Sequence, residues 1–366
     1  MNCKKSARRE KTYKKILLIG LLISLIGCSE PIASRSDIAL GTFCTITLYE
    51  HGKPRLYDEI FKRIFEIEAL MSVHITESEL HRINEAAGIT PVKVSAEVFD
   101  IIERALYFAE VSYSAFNPAI GPIVLLWDIG GEAQRIPSQD EIDNLLPLLD
   151  WRDIELEREN STIFLTRHGM ALDLGAIAKG FAADEAARII QEAWGLLPQQ
   201  QQSQQSQRQP ADFPRAIIDL GGNILVLGEK PDSSPWTIGI QDPLDSREII
   251  GYVSINQKAN EQKTIVTSGI YQRYFIEEEV LYHHIFSFDG FPVINNLLSV
   301  TIITDNSIDA DALSTAVFVM GYEQGRVLVQ ALEGVSCIYV FDDQLIRITG
   351  DVDFVLTNSD YRIAND

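Results

Sequence analysis

The spacing of hydrophobic residues changes along the chain and predicts both strands and helices. Between Ile38 and Tyr49, the residues Cys44, Ile46 and Leu48 alternate with polar ones, which is the pattern of a strand with one buried face. The following segment has helical spacing instead, with apolar residues at positions 56, 60, 64, 67 and 71. The first part of the folded chain is therefore expected to be a strand followed by an amphipathic helix.

Possible capping boxes indicate where two further helices begin. In this motif a Ser or Thr at the helix start is followed three residues later by Glu. One such pair is Thr76 and Glu79, and the other is Ser138 and Glu141. A longer helix is expected over residues 96–112.

The second half of the chain is mainly strands. Helices are expected after Gly175, from about Asp309, and over residues 323–332. Because strands and helices do not alternate one for one, an α+β fold with mixed or antiparallel sheets flanked by helices is favoured over a doubly wound parallel sheet. The predicted strands are 153–157, 162–166, 216–219, 224–227, 236–240, 252–255, 265–267, a hairpin within 271–288, and 299–304.

Composition fits a globular protein, and the charge distribution argues against one class of partner. The chain has 366 residues, 46% of them hydrophobic, which allows one large domain or two modest ones. Residues 1–27 hold seven Lys or Arg and one Glu, so with a net charge of −21 for the whole chain the remainder carries −27. Because non-specific nucleic-acid binding needs positive charge, nucleic acid is not an expected partner.

The N-terminus has the layout of a secretory signal. Residues 16–26 form an uncharged apolar run, too short to span a membrane, after a basic stretch. The sequence from Leu25 to Cys28 resembles a bacterial lipobox, in which the cysteine is acylated; the alternative is an ordinary signal with an incidental cysteine. We therefore expect a signal peptide over 1–27, lipidation of Cys28, a tether over 28–36, and a domain over 37–366 that is exported and anchored on the periplasmic side of a bacterial membrane.

Two other features bear on organisation. Cys44 and Cys337 lie in apolar, strand-like segments and are expected to be buried free thiols. Residues 199–209 comprise eight Gln, two Ser and one Arg, a composition that cannot order itself by burial. We interpret residues 198–213 as an insertion within the domain.

Five segments contain more Gly, Asp and Thr than packing requires. A glycine inside a strand at position 41 suggests a bulge or a ligand contact, and Pro118 belongs to a turn that could be structural or ligand-binding. Asp219 ends a strand before two glycines, which could simply be a hairpin turn. The five segments are 40–42, 115–122, 173–180, 219–223 and 310–316.

Two of these segments suggest an anion and a metal site. Around Gly175 and Gly180, a helix start with free N–H groups and the charge of Lys179 would suit phosphate; the alternative is that Asp173 is a helix cap and Lys179 a solvated surface charge. Asp311 and Thr315 are four residues apart, which places two hard oxygen ligands for Mg²⁺ on one helix face; the alternative is that Asp309 or Asp311 is an N-cap.

Together and in this order, the five segments resemble the ApbE flavin transferases, which move FMN from FAD to a Thr or Ser hydroxyl of a target protein. The resemblance runs from Gly41 to about Leu332 and implies a single ApbE-like domain. It also implies Mg²⁺ as cofactor, FAD as donor and exported domains of redox proteins as acceptors. By this resemblance, FAD contacts Leu40, Ala115, Phe116, Asn117, Asp173, Lys179 and Ile285, and the metal contacts the Ala176 carbonyl, Asp311 and Thr315, with Ser314 adjacent.

The resemblance also implies a general base and shows two departures. His284, after His283, is in the position of the family's catalytic histidine; the alternative is that both are strand histidines without a role. The segment from Ser287 to Gly290 is one residue shorter than the family pattern. His74 stands where the family often has a tyrosine against the flavin.

Four functions remain open from the sequence. The first is a Mg²⁺-dependent FAD:protein FMN transferase that forms a phosphoester and releases AMP. The second uses water as acceptor and is an FAD pyrophosphatase. The others are a flavin-binding lipoprotein without catalysis and a structural lipoprotein.

Overall fold

A computed structural model of the chain describes residues 33–49, 54–196 and 213–364. The described residues form seven α-helices: α1 (Pro54–Met71), α2 (Glu79–Glu85), α3 (Ala96–Val111), α4 (Gly121–Trp127), α5 (Gln139–Leu145), α6 (Ala178–Ala193) and α7 (Ser307–Ala331). The strands are β1 (Ala33–Ala39), β2 (Thr42–Leu48), β3 (Val92–Lys93), β4 (Ile154–Glu157), β5 (Thr162–Leu165), β6 (Ala216–Leu220), β7 (Asn223–Leu227), β8 (Trp236–Gln241), β9 (Ile249–Ile255), β10 (Gln262–Gly269), β11 (Tyr274–Glu277), β12 (Val280–His283), β13 (Leu297–Thr304), β14 (Ser336–Phe341), β15 (Leu345–Thr349), β16 (Phe354–Leu356) and β17 (Arg362–Ile363).

One large sheet organises the fold. Its nine strands follow the order β1-β2-β6-β7-β10-β13-β14-β15-β17 and are antiparallel, except that β15 and β17 run parallel. Two three-stranded sheets, β16-β9-β8 and β3-β5-β4, and the hairpin β11-β12 complete the described strands. The α+β fold expected from the sequence is confirmed.

The first predicted strand is in fact a hairpin. β1 and β2 pair antiparallel, with Ala39 opposite Thr42, and the turn between them has positive φ at Leu40 (53°) and Gly41 (68°). The expectation of a glycine inside one continuous strand is therefore wrong. β1 also begins at Ala33, so residues 33–36, expected in the tether, belong to the sheet.

Of the two capping boxes expected from the sequence, one is confirmed and one is wrong. The capping box of Ser138 and Glu141 is present. The expected box with Thr76 is wrong, because Ser78 is the cap of α2 and its hydroxyl accepts the His81 N–H at 2.8 Å. α7 begins at Ser307, two residues before Asp309, and non-helical φ and ψ at Gly321 divide it into the two helices expected.

The nine-stranded sheet separates two apolar cores. On one face, Leu225, Val266 and Val300 pack with residues of α1, α3, α6 and α7. On the other face, Ile265 and Ile338 pack against the sheet β16-β9-β8. Because side chains alternate along a strand, neighbouring residues such as Ile265 and Val266 belong to opposite cores.

A smaller apolar cluster supports the hairpin β11-β12. The rings of Phe275 and Tyr282 are stacked, with their centroids 5.1 Å apart, and the centroids of Tyr282 and Trp127 are 5.7 Å apart. The indole N–H of Trp127 donates to the Gly290 carbonyl at 2.9 Å, and both Trp127 and Phe286 are buried. This cluster fixes the chain on both sides of residue 284.

Helices α6 and α7 approach each other unusually closely at Gly180. A Cβ atom on Gly180 would lie 2.2 Å from the carbonyl oxygen of Ser307 and 2.6 Å from the Cα of Ile308. Both of those atoms are backbone, so neither can move as a flexible side chain does. The glycine therefore allows contact between the two helix backbones.

Several expectations concern residues outside the described ranges: the signal peptide, Cys28, most of the tether and nearly all of the Gln-rich insertion. Among the described residues, no helix combines the length and apolar character that crossing a membrane requires. Cys44 and Cys337 are buried and free, as expected.

Replacement of Gly180 by Ala tests the close helix contact. Although alanine gains about 1 kcal/mol over glycine in a helix, the clash should leave Gly180→Ala less stable by about 1–3 kcal/mol. Chemical denaturation of the soluble domain measures the free energy of unfolding.

Gly239→Ala is the matched control for this substitution. Gly239 lies on β8 and is exposed, and the three atoms nearest to its Cβ would all belong to the Ile249 side chain, the first at 3.2 Å. This variant should stay within about 0.5 kcal/mol of the unmodified protein. Equal stability of both variants would contradict the proposed backbone contact.

Candidate active site

The junction between α6 and α7 brings a buried carboxylate next to a lysine. Asp311 is 3% exposed, and its Oδ2 accepts the backbone N–H of Gly180 at 2.9 Å. Its other oxygen, Oδ1, lies 3.3 Å from the Nζ atom of Lys179. The sequence placed these residues in separate motifs, and the fold joins them.

Lys179 also joins this junction to the preceding turn. Its ammonium group donates to the Gly175 carbonyl at 3.2 Å. In the same turn, Asp173 Oδ1 accepts the Gly175 N–H at 2.8 Å, and Ala176 is half-buried. The turn that contains Ala176 and the helix that contains Asp311 thus meet at Lys179.

The expected row of free N–H groups at the start of α6 is largely absent. The N–H groups of Ile177 and Ala178 donate to the Leu174 carbonyl, at 3.0 and 2.9 Å, and that of Gly180 donates to Asp311. The expectation that several of these groups point outward toward phosphate is therefore wrong. Positive charge near this turn comes mainly from Lys179.

The oxygens available near Asp311 suit a hard divalent cation. Thr315 lies one turn further along α7 and is half-buried, so its hydroxyl is on the same helix face as Asp311. One carboxylate, one hydroxyl and a backbone carbonyl are ligand types that Mg²⁺ accepts, and Mg²⁺ commonly keeps several waters. No group of three or more His, Cys, Asp or Glu suited to a metal exists within the described residues.

Ser314 faces the sheet and not the candidate metal ligands Asp311 and Thr315. It is fully buried, and its hydroxyl donates to the Asp311 carbonyl at 2.9 Å. The same oxygen lies 2.8 Å from the hydroxyl of Ser268 on β10. Ser314 thus fastens α7 to the sheet behind the candidate metal position.

The turn of residues 115–117 lies beside the Asp173 turn, because the Asp173 N–H donates to the Pro118 carbonyl at 2.9 Å. Phe116 is buried against Phe108, with ring centroids 6.3 Å apart. Asn117 Oδ1 accepts the Ala119 N–H, and its Nδ2 donates to the Leu149 carbonyl. The side chains of Phe116 and Asn117 thus stabilise the turn itself. A ligand could contact mainly the half-buried Ala115 and the backbone of the turn.

The β1-β2 turn is fixed from both sides. The Leu40 N–H donates to Glu68 Oε1 of α1 at 2.7 Å. The space beside Gly221, in the β6-β7 turn, is filled by Thr42, since a Cβ on Gly221 would lie 2.0 Å from the Thr42 hydroxyl. The Asp219-to-Asn223 segment is therefore a hairpin turn that packs against the predicted ligand turn.

His284 is held in one orientation by a single carbonyl. The Arg273 carbonyl accepts both the backbone N–H of His284, at 3.2 Å, and its ring Nδ1, at 3.1 Å. Because a carbonyl only accepts, Nδ1 carries the hydrogen and Nε2 keeps a lone pair. Burial, assisted by the nearby charges of Arg273 and Lys179, lowers the pKa of His284 to about 3, so the ring is neutral at physiological pH.

His283 has a different environment. Its Nε2 donates to the Val293 carbonyl at 3.0 Å and its Nδ1 accepts the Ile285 N–H at 3.2 Å. Both ring nitrogens are thus used within the protein. The adjacent Ile285 is buried, so His283 and Ile285 have structural contacts while only His284 keeps a free basic nitrogen.

The short loop after these residues forms a closed turn. The Ser287 N–H donates to the Phe291 carbonyl at 2.9 Å, and Phe286 pairs with Pro292. The carboxylate of Asp289 accepts the Ser287 hydroxyl and the Phe291 N–H. The loss of one residue relative to the family pattern is therefore accommodated without opening the loop.

His74 lies after α1 and is exposed. Its backbone N–H donates to the Ser72 hydroxyl at 3.1 Å, while its ring has no hydrogen bond or ion pair with another described residue.

Arg273 was missed by the sequence reasoning. Its guanidinium lies over the β1-β2 turn, since a Cβ on Gly41 would be 3.3 Å from its Nη2. The sequence predicted the hairpin but not its register; the structure pairs Tyr274 with His283, which places Arg273 opposite His284. Arg273 therefore connects the Leu40 turn with the candidate base.

Comparisons with known proteins find relatives that span most of the chain. The FAD:protein FMN transferase of Treponema pallidum is 34% identical over 337 residues, which cover 87% of each chain. That of Klebsiella pneumoniae is 37% identical over 309 residues, covering 84% of this chain and 88% of the relative. The crystal structure of the ApbE protein from Thermotoga maritima has a TM-score of 0.76 at 28% identity and covers 87% of this chain and 97% of that chain.

The ApbE family model matches residues 40–195 and 206–339, which include the Leu40 turn, the helix junction and His284. By this match and by the identity to the two transferases, the chain belongs to the ApbE family.

Proposed function

We propose that this protein is a Mg²⁺-dependent FAD:protein FMN transferase. It transfers FMN from FAD to a Thr or Ser hydroxyl of an exported redox-protein domain, forms a phosphoester and releases AMP. The observation that carries the proposal is the junction at which Asp311 meets Lys179 and the Gly180 N–H. Membership of a family with curated FAD:protein FMN transferases supports the substrate and the reaction class.

Local positive charge is needed to bind a diphosphate. Outside residues 1–27 the protein carries a net charge of −27, which repels anions. Lys179 beside the Asp173 turn and Arg273 over the β1-β2 turn are cations that offset this field. The diphosphate of FAD is therefore proposed to lie near Lys179. Another portion of the FAD molecule would lie along the Leu40 turn.

Asp311, Thr315 and the Ala176 carbonyl would hold the metal. When bound, Mg²⁺ supplies charge stabilisation for the phosphates during transfer. The Gly180 N–H keeps the Asp311 carboxylate in place, while Lys179 provides a second positive group.

His284 would act as the general base. The acceptor oxygen bonds to the FMN phosphorus as its proton passes to Nε2 of His284, and the bond from that phosphorus to the bridging oxygen breaks. AMP leaves with the bonding electron pair. The Arg273 carbonyl supports this role because it fixes the ring tautomer with Nε2 unprotonated.

Export and lipid anchoring complete the proposal. The basic stretch, the short apolar run and the lipobox-like sequence before Cys28 support an exported protein held by acyl chains at the periplasmic side of a membrane. Such a position would place the site in the compartment of exported acceptor domains.

Asp311→Asn tests the metal-dependent chemistry. The amide oxygen can still accept the Gly180 N–H, but the negative charge is lost, so transfer should fall at least about 100-fold, or about 2.7 kcal/mol in transition-state stabilisation. The measurement is flavin fluorescence on a denatured acceptor protein after incubation with FAD and Mg²⁺, with AMP quantified in parallel.

Asp309→Asn is the control for that substitution, because Asp309 lies on the same helix but pairs with Arg104. It should retain transfer.

Free FMN and AMP without a labelled acceptor would indicate a pyrophosphatase, and unchanged FAD would indicate a binding protein. Labelling that persists in EDTA would contradict the Mg²⁺ requirement.

The depressed pKa of His284 predicts an unusual pH profile. A histidine with an ordinary pKa of about 6.5 would make kcat/KM about fourfold lower at pH 6 than at pH 8. Because burial keeps His284 neutral in the free enzyme, kcat/KM should change less than about twofold over that range.

Arg273→Gln extends the same measurement. Loss of the guanidinium charge should raise the pKa of His284 and move the acidic decline to higher pH, whereas Arg273→Lys should preserve the original profile. An ordinary fourfold decline in the unmodified enzyme would contradict the depressed pKa of His284.

Cys28→Ala tests the anchor. In bacteria supplied with an alkyne fatty acid, the unmodified protein should incorporate the label and fractionate with membranes, because acyl chains add about 0.8 kcal/mol per buried CH₂. The variant should lose both properties. Equal labelling of the two proteins would contradict lipidation at Cys28.

A further inference from the structure

Helices α6 and α7 cap each other in both directions. Asp311 of α7 accepts the Gly180 N–H of α6 at 2.9 Å. In the opposite direction, Asp184 of α6 accepts the N–H groups of Ser307, at 3.0 Å, and Ile308, at 2.9 Å. In each helix the first donor lies four residues before the aspartate, Gly180 before Asp184 in α6 and Ser307 before Asp311 in α7, so the two contacts are related by exchange of the helices.

Neither helix provides this cap from its own sequence. α7 has Asn306 at its N-cap position and α6 has Ile177, and neither side chain makes a capping hydrogen bond. The first N–H groups of a helix need external acceptors, which the neighbouring helix supplies here.

These two capping contacts depend on the close approach of the helices at Gly180. Because a Cβ there would lie 2.2 Å from the Ser307 carbonyl, only glycine lets the two helix starts meet. Below them, Ser307 donates to Asn223 at 2.6 Å and accepts from Thr264 at 3.2 Å, which ties the start of α7 to the sheet.

A further contact holds α7 on its outer side. Arg104 of α3 donates to both carboxylate oxygens of Asp309, at 2.9 and 2.6 Å. This pair links α7 to α3 and not to α6. Asp184 is a side chain that joins the first turn of α7 to α6 directly.

We infer that Asp184 is a positioning residue for the metal site. It holds Ser307 and Ile308 against α6, and Asp311 follows one helical turn later, so Asp184 sets where the Asp311 carboxylate lies relative to Lys179 and the Ala176 turn. Within the described part of the chain, the hydrogen bonds of Asp184 are to Ser307 and Ile308 and not to Lys179 or Asp311. The inference rests on the proposed function, since it concerns the same Mg²⁺ site.

Asp184→Asn is the first test. An amide offers one oxygen to two N–H donors, so one capping bond is lost while the side-chain volume is kept. The Mg²⁺ concentration at half-maximal FAD turnover should rise about tenfold, and the increase in melting temperature on adding Mg²⁺ without FAD should need correspondingly more metal. The second readout is independent of activity.

A second variant separates positioning from stability. In Asp184→Asn/Asn306→Asp, the new aspartate at the N-cap position gives α7 a cap of its own but no bond to α6. The melting temperature should recover, whereas the Mg²⁺ midpoint should stay raised. Because this variant restores the helix cap, it also remains informative where Asp184→Asn alone is poorly folded.

Asp242→Asn is the matched control. Asp242 is a buried aspartate that accepts from Tyr361 at 2.6 Å and Asn358 at 3.1 Å, remote in sequence and outside the helix junction. Its replacement should lower the melting temperature and leave the Mg²⁺ midpoint unchanged.

Two results would overturn the inference: a Mg²⁺ midpoint within twofold of the unmodified protein in Asp184→Asn, or recovery of that midpoint together with stability in the double variant. A different result would count against the proposed function. If Mg²⁺ alters neither turnover nor melting temperature of the unmodified protein, the metal requirement itself fails.

Discussion

The contact between the starts of α6 and α7 is the constraint on which the candidate site depends. Gly180 permits the approach, and Asp311 and Asp184 each provide an acceptor for the other helix. A buried carboxylate is stable only with hydrogen bonds or opposite charge around it. Asp311 has both, from the Gly180 N–H and from Lys179, and this explains how a carboxylate remains beside an apolar core.

The sheet sets the position of this junction. Two residues of β10, Thr264 and Ser268, contact Ser307 and Ser314 of α7, so the helix is fixed to the sheet at two points about two turns apart. Buried hydroxyl groups need partners, and here each hydroxyl supplies one for another. The apolar core around α7 provides stability, while these polar contacts fix its rotation and register.

The candidate base is positioned by a separate device. The hairpin β11-β12 rests on the aromatic cluster around Trp127, and the Arg273 carbonyl fixes the ring of His284. Burial and two nearby cations keep that ring neutral, whereas His283 has both nitrogens used in structural bonds. The two neighbouring histidines thus have different chemistry because they point into different surroundings.

The sequence by itself determined the α+β class, the amphipathic helices and the hairpin around His284, because the spacing of apolar residues is a local property. It indicated a strand-like segment at Cys337, which is β14, but it did not predict β15 or the turn at Leu40. It also identified Lys179 and Asp311, but only as members of separate motifs. The tertiary structure decided that Gly180 serves a helix contact, that Asp184 caps α7 and that Ser314 faces the sheet, because each role depends on a partner more than forty residues away in sequence.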